Sequence, residues 1–395
     1  MKVWLVAVLW LAGLQACVAP AVAQCRAGHR GDPWPGWQHF QETLVARDGR
    51  VIDPQSPRSV STSEAQAYAL FFALVANDRE RFEQILGWTQ DNLAAGDLTQ
   101  HLPAWLWGRK DDASWGVLDA NPAADADLWI VYALGEAGRL WQERRYQALA
   151  SLLAERVLRE ETQELPGLGR TLLPGPQGFA LAGPAWRLNP SYTPLFLVRW
   201  LQLRSADARW AAVLRSSLRV LQASAPQGYV ADWLNYRASP VVEGAVPTGY
   251  FDTNPLEARD QRGSYDAIRA YLWLGMSSAA DPQRAALLRD WRAMASQLAA
   301  RGLPPEVVDV RDGSVTGTGS PGFSAALLPF LRAQGLEDAA RTQEARARTA
   351  PRADAYYEQA LRLFGLGWQE ARFAFAPDGG LLPAWQPCAD TPATP

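Results

Sequence analysis

The sequence predicts an all-α fold in which an inner ring of helices is wrapped by an outer ring, and three observations lead there. Apolar residues recur at spacings of three and four along most of the 395 residues. No sustained alternating strand pattern interrupts that period. Helices apolar on most faces alternate with helices that carry charged stripes, as buried and surface helices should. Twelve candidate helices fall near 34–46, 64–76, 79–94, 124–141, 143–161, 190–204, 207–224, 264–279, 281–301, 321–334, 336–348 and 353–373. Those at 64–76, 124–141 and 264–279 are the apolar kind, and those at 79–94, 143–161, 207–224 and 281–301 the amphipathic kind. Alternate helices of a double ring run in the same direction. The second, fourth and eighth should therefore present their N-termini at one rim.

The longest connections, 95–121, 162–189, 225–263 and 302–320, enter the apolar helices and are rich in Gly, Pro and aromatic residues. Long loops of this kind are usually functional or disordered. Here they carry Trp105, Trp107, Trp115, Trp186, Tyr229, Trp233, Tyr236 and Tyr250, which argues against disorder. They are expected to wall a groove at the rim, with a few short strands, for example around Pro174-Gly175.

The first residues read as a targeting segment, expected to span 1–23. Lys2 gives a positive start, Val3 to Leu14 form an apolar run, and Ala21-Val22-Ala23 is a small-x-small cleavage signal before Gln24. The run is short for a bilayer span. A lipid-modified Cys17 is the alternative, and Gln15 is unusual for that signal. Export to the periplasm or medium is the expectation, with residues 24–395 as one domain and no membrane span in the mature chain. Removal of the segment leaves Cys25 and Cys388, an even count that suggests a disulfide clamping the two ends in an oxidising compartment.

Composition excludes several classes. A formal net charge of −3 with no basic stripe makes nucleic acid a poor partner. Only His29, His39 and His101 are available, so metal clusters and Ser-His-Asp triads lack support, and no metal or cofactor is expected. Asp111-Asp112 is not an aspartate-rich diphosphate motif.

Three acidic residues remain, each at the start of an apolar helix. Glu64 lies in Ser63-Glu64-Ala65-Gln66, where Ser63 and Gln66 have the spacing of a capping box. Asp125 follows Asn121-Pro122, an N-cap type and a proline suited to a first helical position. Asp266 follows Gly263-Ser264-Tyr265, another helix start. Such residues often do no more than favour a helix terminus. Asp125 and Asp266, however, enter otherwise apolar helices, where a carboxylate needs a partner. Arg269, one turn beyond Asp266, is a candidate ion-pair partner. Asp127, two residues after Asp125, faces another direction. Carboxylates gathered at a concave rim are the apparatus of glycosidic bond hydrolysis.

The chain has 18 tryptophans. Core packing accounts for most of those on helices, such as Trp88, Trp141, Trp200 and Trp291. Trp105, Trp107 and Trp115 are the better candidates for stacking on sugar rings. With Asp127, Tyr192 and Arg269 they form the expected substrate-binding set.

The motifs resemble a known family. Ser63-Glu64-Ala65-Gln66-Ala67-Tyr68 is similar to the Ser-Glu-Gly-Gln-x-Tyr start of glycoside hydrolase family 8. The run from Ala123 to Trp141 resembles its Ala-Ser/Thr-Asp-Ala/Gly-Asp signature followed by an apolar helix ending in an aromatic. Ser264-Tyr265-Asp266-Ala267-Ile268-Arg269 resembles its Tyr-Asp-Ala-x-Arg segment. The likeness extends from Trp34 to Cys388. Leu102-Pro103-Ala104-Trp105-Leu106-Trp107-Gly108 and Pro321-Gly322-Phe323-Ser324-Ala325-Ala326 add likeness to its periplasmic members that accompany bacterial cellulose synthases. Ala65, Ala124 and Val131 depart from the usual Gly, Ser/Thr and Ala, and none removes a carboxylate. The resemblance implies an (α/α)6 barrel and an inverting endo-β-1,4-glucanase with Glu64 as acid and Asp266 as base. Asp125 would bind and distort the sugar in the cleavage subsite. A β-1,4-glucan chain is the implied partner, with a functional association with a cellulose synthase complex. The competing readings are the same fold cutting xylan or chitosan, and a non-catalytic glucan-binding secretion factor.

Overall fold

The computed structural model describes residues 32–240, 243–252 and 261–386. Among the described residues are thirteen α-helices: α1 Pro35–Leu44, α2 Ser63–Val75, α3 Arg79–Leu93, α4 Ala124–Leu140, α5 Arg144–Glu160, α6 Leu195–Arg204, α7 Arg209–Ala223, α8 Ala267–Met276, α9 Arg284–Asp290, α10 Arg292–Arg301, α11 Pro321–Ala333, α12 Glu337–Ala347 and α13 Tyr356–Gln369. The single outer helix expected over 281–301 is two, joined at Trp291, so twelve becomes thirteen.

The double ring is an (α/α)6 barrel. Helices α2, α4, α6, α8, α11 and α13 form its inside. In α2 every residue but Glu64 is buried, and in α8 all ten are. Burying a helix on every face requires the near-continuous apolar run that these segments have, whereas α3, α5, α7 and α12 bury one stripe. Aromatic rings fill the axis. Phe364 of α13 meets Phe72 of α2 at 4.7 Å and Trp273 of α8 at 5.0 Å, and Trp129 of α4 meets Trp273 at 5.1 Å. Gly365 marks how closely α13 approaches α11, since a Cβ there would lie 1.9 Å from the carbonyl oxygen of Ala325. Trp88, Trp141, Trp200 and Trp291 are core residues, as their helical settings imply.

The rim connections hold more strand than the sequence suggests. Strands β1 Ser61–Thr62, β2 Ala104–Arg109 and β3 Trp115–Pro122 form one antiparallel sheet, and β4 Thr162–Leu165 pairs with β5 Gly169–Leu172. A four-stranded sheet joins β6 Ala180–Leu181, β7 Ala185–Leu188, β8 Leu234–Ala238 and β9 Gly249–Asp252. Strands β10 Arg262–Gly263, β11 Val307–Asp309 and β12 Val315–Thr316 form another sheet, and β13 Phe373–Phe375 pairs with β14 Leu381–Pro383. Pro174-Gly175 lies between β5 and β6, in neither strand. Trp105, Trp107 and Trp115 stand on β2 and β3, not on loops. Trp186 and Tyr236 are buried in a small second core with Leu165, Leu168 and Leu188, so they are not groove walls.

Two helix starts differ from expectation. Thr62, not Ser63, is the N-cap of α2, and its hydroxyl accepts from the Ala65 amide at 3.1 Å. Gln66 does not reach back; it is buried, accepting from the Val51 amide at 2.6 Å and donating to Thr89 at 3.0 Å. Asn121-Pro122 ends β3, and α4 begins after Ala123 without a side-chain cap. The Ala124 amide instead donates to the carbonyl of Pro174 at 3.0 Å. No described helix is long and apolar enough to cross a membrane. The expected targeting segment 1–23, with Cys17, and the expected Cys25–Cys388 pair lie outside the described residues.

Candidate active site

Three helices of equal parity bring Glu64, Asp125 and Asp266 to one rim, and Arg269 ties them together. Its Nη1 donates to Glu64 Oε2, and to Asp125 Oδ2 at 3.1 Å, while Nη2 donates to Asp266 Oδ1 at 2.6 Å. The guanidinium is buried, and its planar fork of five N–H donors lets one side chain serve three carboxylates. Glu64 and Asp266 retain 18% and 26% side-chain exposure, whereas Asp125 has 5%. The first two therefore face the groove and Asp125 forms its floor. Burial, opposed by Arg269 and reinforced by the Glu64 charge, lifts the Asp125 carboxyl to about 7.

Tyrosines complete the first ring of contacts. Tyr356 Oη donates to Glu64 Oε1 at 3.2 Å, and Tyr68 Oη accepts from Arg269 Nη1 at 3.3 Å. Tyr357 Oη donates to the carbonyl of Tyr265 at 2.5 Å, next to Asp266 in the chain. Tyr192, on the turn Pro190–Tyr192, lies with its ring 5.7 Å from the Arg269 guanidinium, so it too belongs to the cluster.

Asp127 stands apart from this cluster. It is 2% exposed and faces Glu161, the residue after α5, and neither carboxyl has another hydrogen-bond partner among the described residues. Two carboxyls in contact must hold a proton between them. Burial first holds both well above the ordinary carboxylate range; Asp127 raises Glu161 further, whereas the hydrogen bond with Glu161 pulls Asp127 part of the way back. The structure thus places Asp127 beneath the floor and off the groove surface.

The aromatic set divides. Trp105 and Trp115 are 42% and 49% exposed, on the sheet whose β1 ends in the cap of α2. Trp107 stacks on Trp115 at 5.3 Å, meets Trp88 edge-on, and has the Arg50 guanidinium 4.4 Å from its ring. It therefore supports Trp115 more than it offers a free face. On the other flank an open cavity of about 350 Å³ adjoins Asp266, lined among others by Phe179, Arg187, Asp232, Trp233 and Arg262. Phe179 and Trp233 stack at 6.0 Å with planes 9° apart.

Sequence reasoning missed Tyr356, Tyr357, Asp232 and Phe179. Nothing local marks them: each lies in an ordinary helix start or connection, and only the fold carries it to the rim. The one available hint was the pair Tyr356-Tyr357 opening the inner helix α13.

Residues 11–371 match glycosyl hydrolases family 8. The chain belongs to that family. It is 46% identical to an endoglucanase of Salmonella typhi over 360 residues, 91% of this chain and 93% of that one. It is also 46% identical to an endoglucanase of Xanthomonas axonopodis pv. citri (strain 306) over 387 residues, 96% and 97% of the two chains. Among solved structures, the endo-1,4-D-glucanase of Vibrio fischeri ES114 superposes with a TM-score of 0.79 at 40% identity, covering 89% of this chain and 99% of that one. An endo-beta-1,4-glucanase of Acetobacter xylinum gives 0.69 at 27% identity, covering 85% and 97%.

Proposed function

We propose that this family 8 glycoside hydrolase is an endoglucanase that cleaves β-1,4-glucosidic bonds of cellulose by inversion, with Glu64 as general acid and Asp266 as general base. The observation that carries the reading is Arg269, which holds these two groove-facing carboxylates on opposite arms of one guanidinium. That arrangement seats each carboxylate on its own nitrogen of the group. Inversion needs roughly 6.5–9.5 Å between the two carboxyls, so that a water fits on the base side.

The reaction would proceed as follows. A glucan chain lies along the rim, with exposed Trp105 and Trp115 on one flank and the Phe179–Trp233 stack on the other. The sugar at the cleavage point sits over Asp125 and Arg269, where Asp125 binds a ring hydroxyl. Its carboxyl, titrating near 7, can both donate and accept at neutral pH. Glu64 gives its proton to the departing oxygen. Asp266 takes a proton from the water attacking the anomeric carbon from the opposite face. No covalent intermediate is required.

Cellulose is favoured over chitosan because the cavity beside Asp266 carries no excess of acid that would attract a cationic polymer: Arg187 and Arg262 balance Asp232 and Asp266 in its lining. The endoglucanase names of relatives at 45–46% identity support the same choice over xylan. The N-terminal apolar segment supports export to the periplasm or medium. Likeness to members that accompany cellulose synthases supports a role in cellulose synthesis and export. Reducing-end release from carboxymethylcellulose, xylan and chitosan tests the substrate: glucan should be cut fastest, and preference for either other polymer rejects it. Glu64→Gln and Asp266→Asn keep shape while removing the proton or the base, and each should lower turnover by about 10²-fold or more with the fold intact.

A further inference from the structure

The amino end of α8 is capped from outside the helix, and this frees its first side chain. Asp266 occupies the N-cap position, where an aspartate ordinarily accepts from an amide of the first turn. It makes no such bond; its Oδ1 is engaged by Arg269 instead. The amides go to Asp232, which is 6% exposed: its Oδ1 accepts from the backbone N–H of Ser264 at 2.8 Å, Asp266 at 3.2 Å and Ala267 at 2.8 Å.

The seat around Asp232 is tied on both sides. Its own amide donates to the carbonyl of Arg262 at 2.8 Å, and the Val230 amide donates to Tyr271 Oη of α8, also at 2.8 Å. A Cβ on Gly263 would lie 2.1 Å from the Val230 carbonyl oxygen, so β10 and the segment before β8 meet backbone to backbone. Ser264 Oγ donates to the carbonyl of Glu306 at 2.7 Å, fixing the same turn from the third side.

We infer that Asp232 is a positioning residue for the base: it holds the Asp266 backbone by its amide and takes over the capping of α8, so that the Asp266 carboxyl can face the groove. The inference rests on the assignment of Asp266 as base. Placement of the acceptor atom matters here, because misplacing a reacting group by about 1 Å can cost 10²-fold in rate.

Three variants test it, with kcat and KM on a soluble cello-oligosaccharide and a thermal melt for each. Asp232→Asn keeps an acceptor at Oδ1 and should hold kcat within about threefold of wild type. Asp232→Ala removes the acceptor, Asp232→Glu shifts it by a methylene, and each should lower kcat by about 10- to 100-fold with KM nearly unchanged. If the alanine variant fails to fold, the contrast between glutamate and asparagine decides. Wild-type kcat in the glutamate variant, an equal loss in all three, or a loss carried by KM would overturn the inference. Asp266→Asn assayed in parallel separates the two readings. An inactive Asp266→Asn beside fully active Asp232 variants rejects the positioning role alone, whereas an active Asp266→Asn rejects the base assignment beneath it.

Discussion

Replacing Arg269 with methionine should cost stability in a pH-dependent manner, because the side chain compensates three carboxylates at once. Arg269 and Asp125 are each 5% exposed, and Nη1 and Nη2 together reach Glu64, Asp125 and Asp266. Even with the arginine present, burial lifts Asp125 from 3.8 to about 7. At about 1.4 kcal/mol per unit, keeping it ionised in the fold costs on the order of 4 kcal/mol. A carboxyl raised in this way binds its proton more tightly folded than unfolded. Its contribution is fully present below the unfolded value, near 4, and is lost as pH rises through about 7. Without the guanidinium Asp125 titrates higher still, and the window of loss extends upward. Breaking one partner out of a buried ionic cluster costs about 3–5 kcal/mol. The Arg269→Met variant should therefore be less stable than wild type by about that amount at pH 8, with the gap at least halved at pH 4, where the carboxyls take up protons. Urea unfolding followed by tryptophan fluorescence measures both gaps. A penalty equal at the two pH values, or one below about 1 kcal/mol at pH 8, would refute the reasoning.

Other outcomes follow from the same contacts. Trp105→Ala should raise KM on cello-oligosaccharides while shifting stability by no more than about 0.5 kcal/mol, as suits an exposed side chain; unchanged kinetics across oligosaccharide lengths would remove Trp105 from the groove. Asp127 and Glu161 are both held above their ordinary values, so they stabilise the fold only while protonated. Asp127→Asn should then flatten the alkaline fall in stability, and an unaltered pH–stability curve would contradict the shared proton. The exported protein should carry a Cys25–Cys388 disulfide, seen as a mass short of two hydrogens before reduction; two free thiols, or a lipid on Cys17, would reject it.

Much of this arrangement was legible in the sequence. The apolar runs of α2, α4 and α8 distinguish inner from outer helices, and their shared parity sets Glu64, Asp125 and Asp266 on one rim. Arg269 was legible as their partner because a charge one turn into a fully apolar helix needs one. A few short rim strands were legible, but not their number or places: they run two to eight residues, β2 is bulged, and their alternation is broken by glycines and by aromatics buried on the sheet side. The capping box at Ser63 failed because Gln66 finds better partners in Val51 and Thr89 than in its own helix start. Asp232 was invisible for a different reason. Its meaning lies in three amides more than thirty residues away, and no local pattern records a contact made by tertiary packing.

The central claim is that Asp266 activates a water while Glu64 protonates the leaving oxygen, and the configuration of the first product tests it most directly. Proton NMR during the opening minutes of cello-oligosaccharide hydrolysis, before mutarotation equilibrates the anomers, resolves the new reducing end. Attack opposite to the departing β-linked oxygen gives the α-anomer first. A β-anomer appearing first would mean retention through a glycosyl-enzyme intermediate, and Asp266 would not be the base.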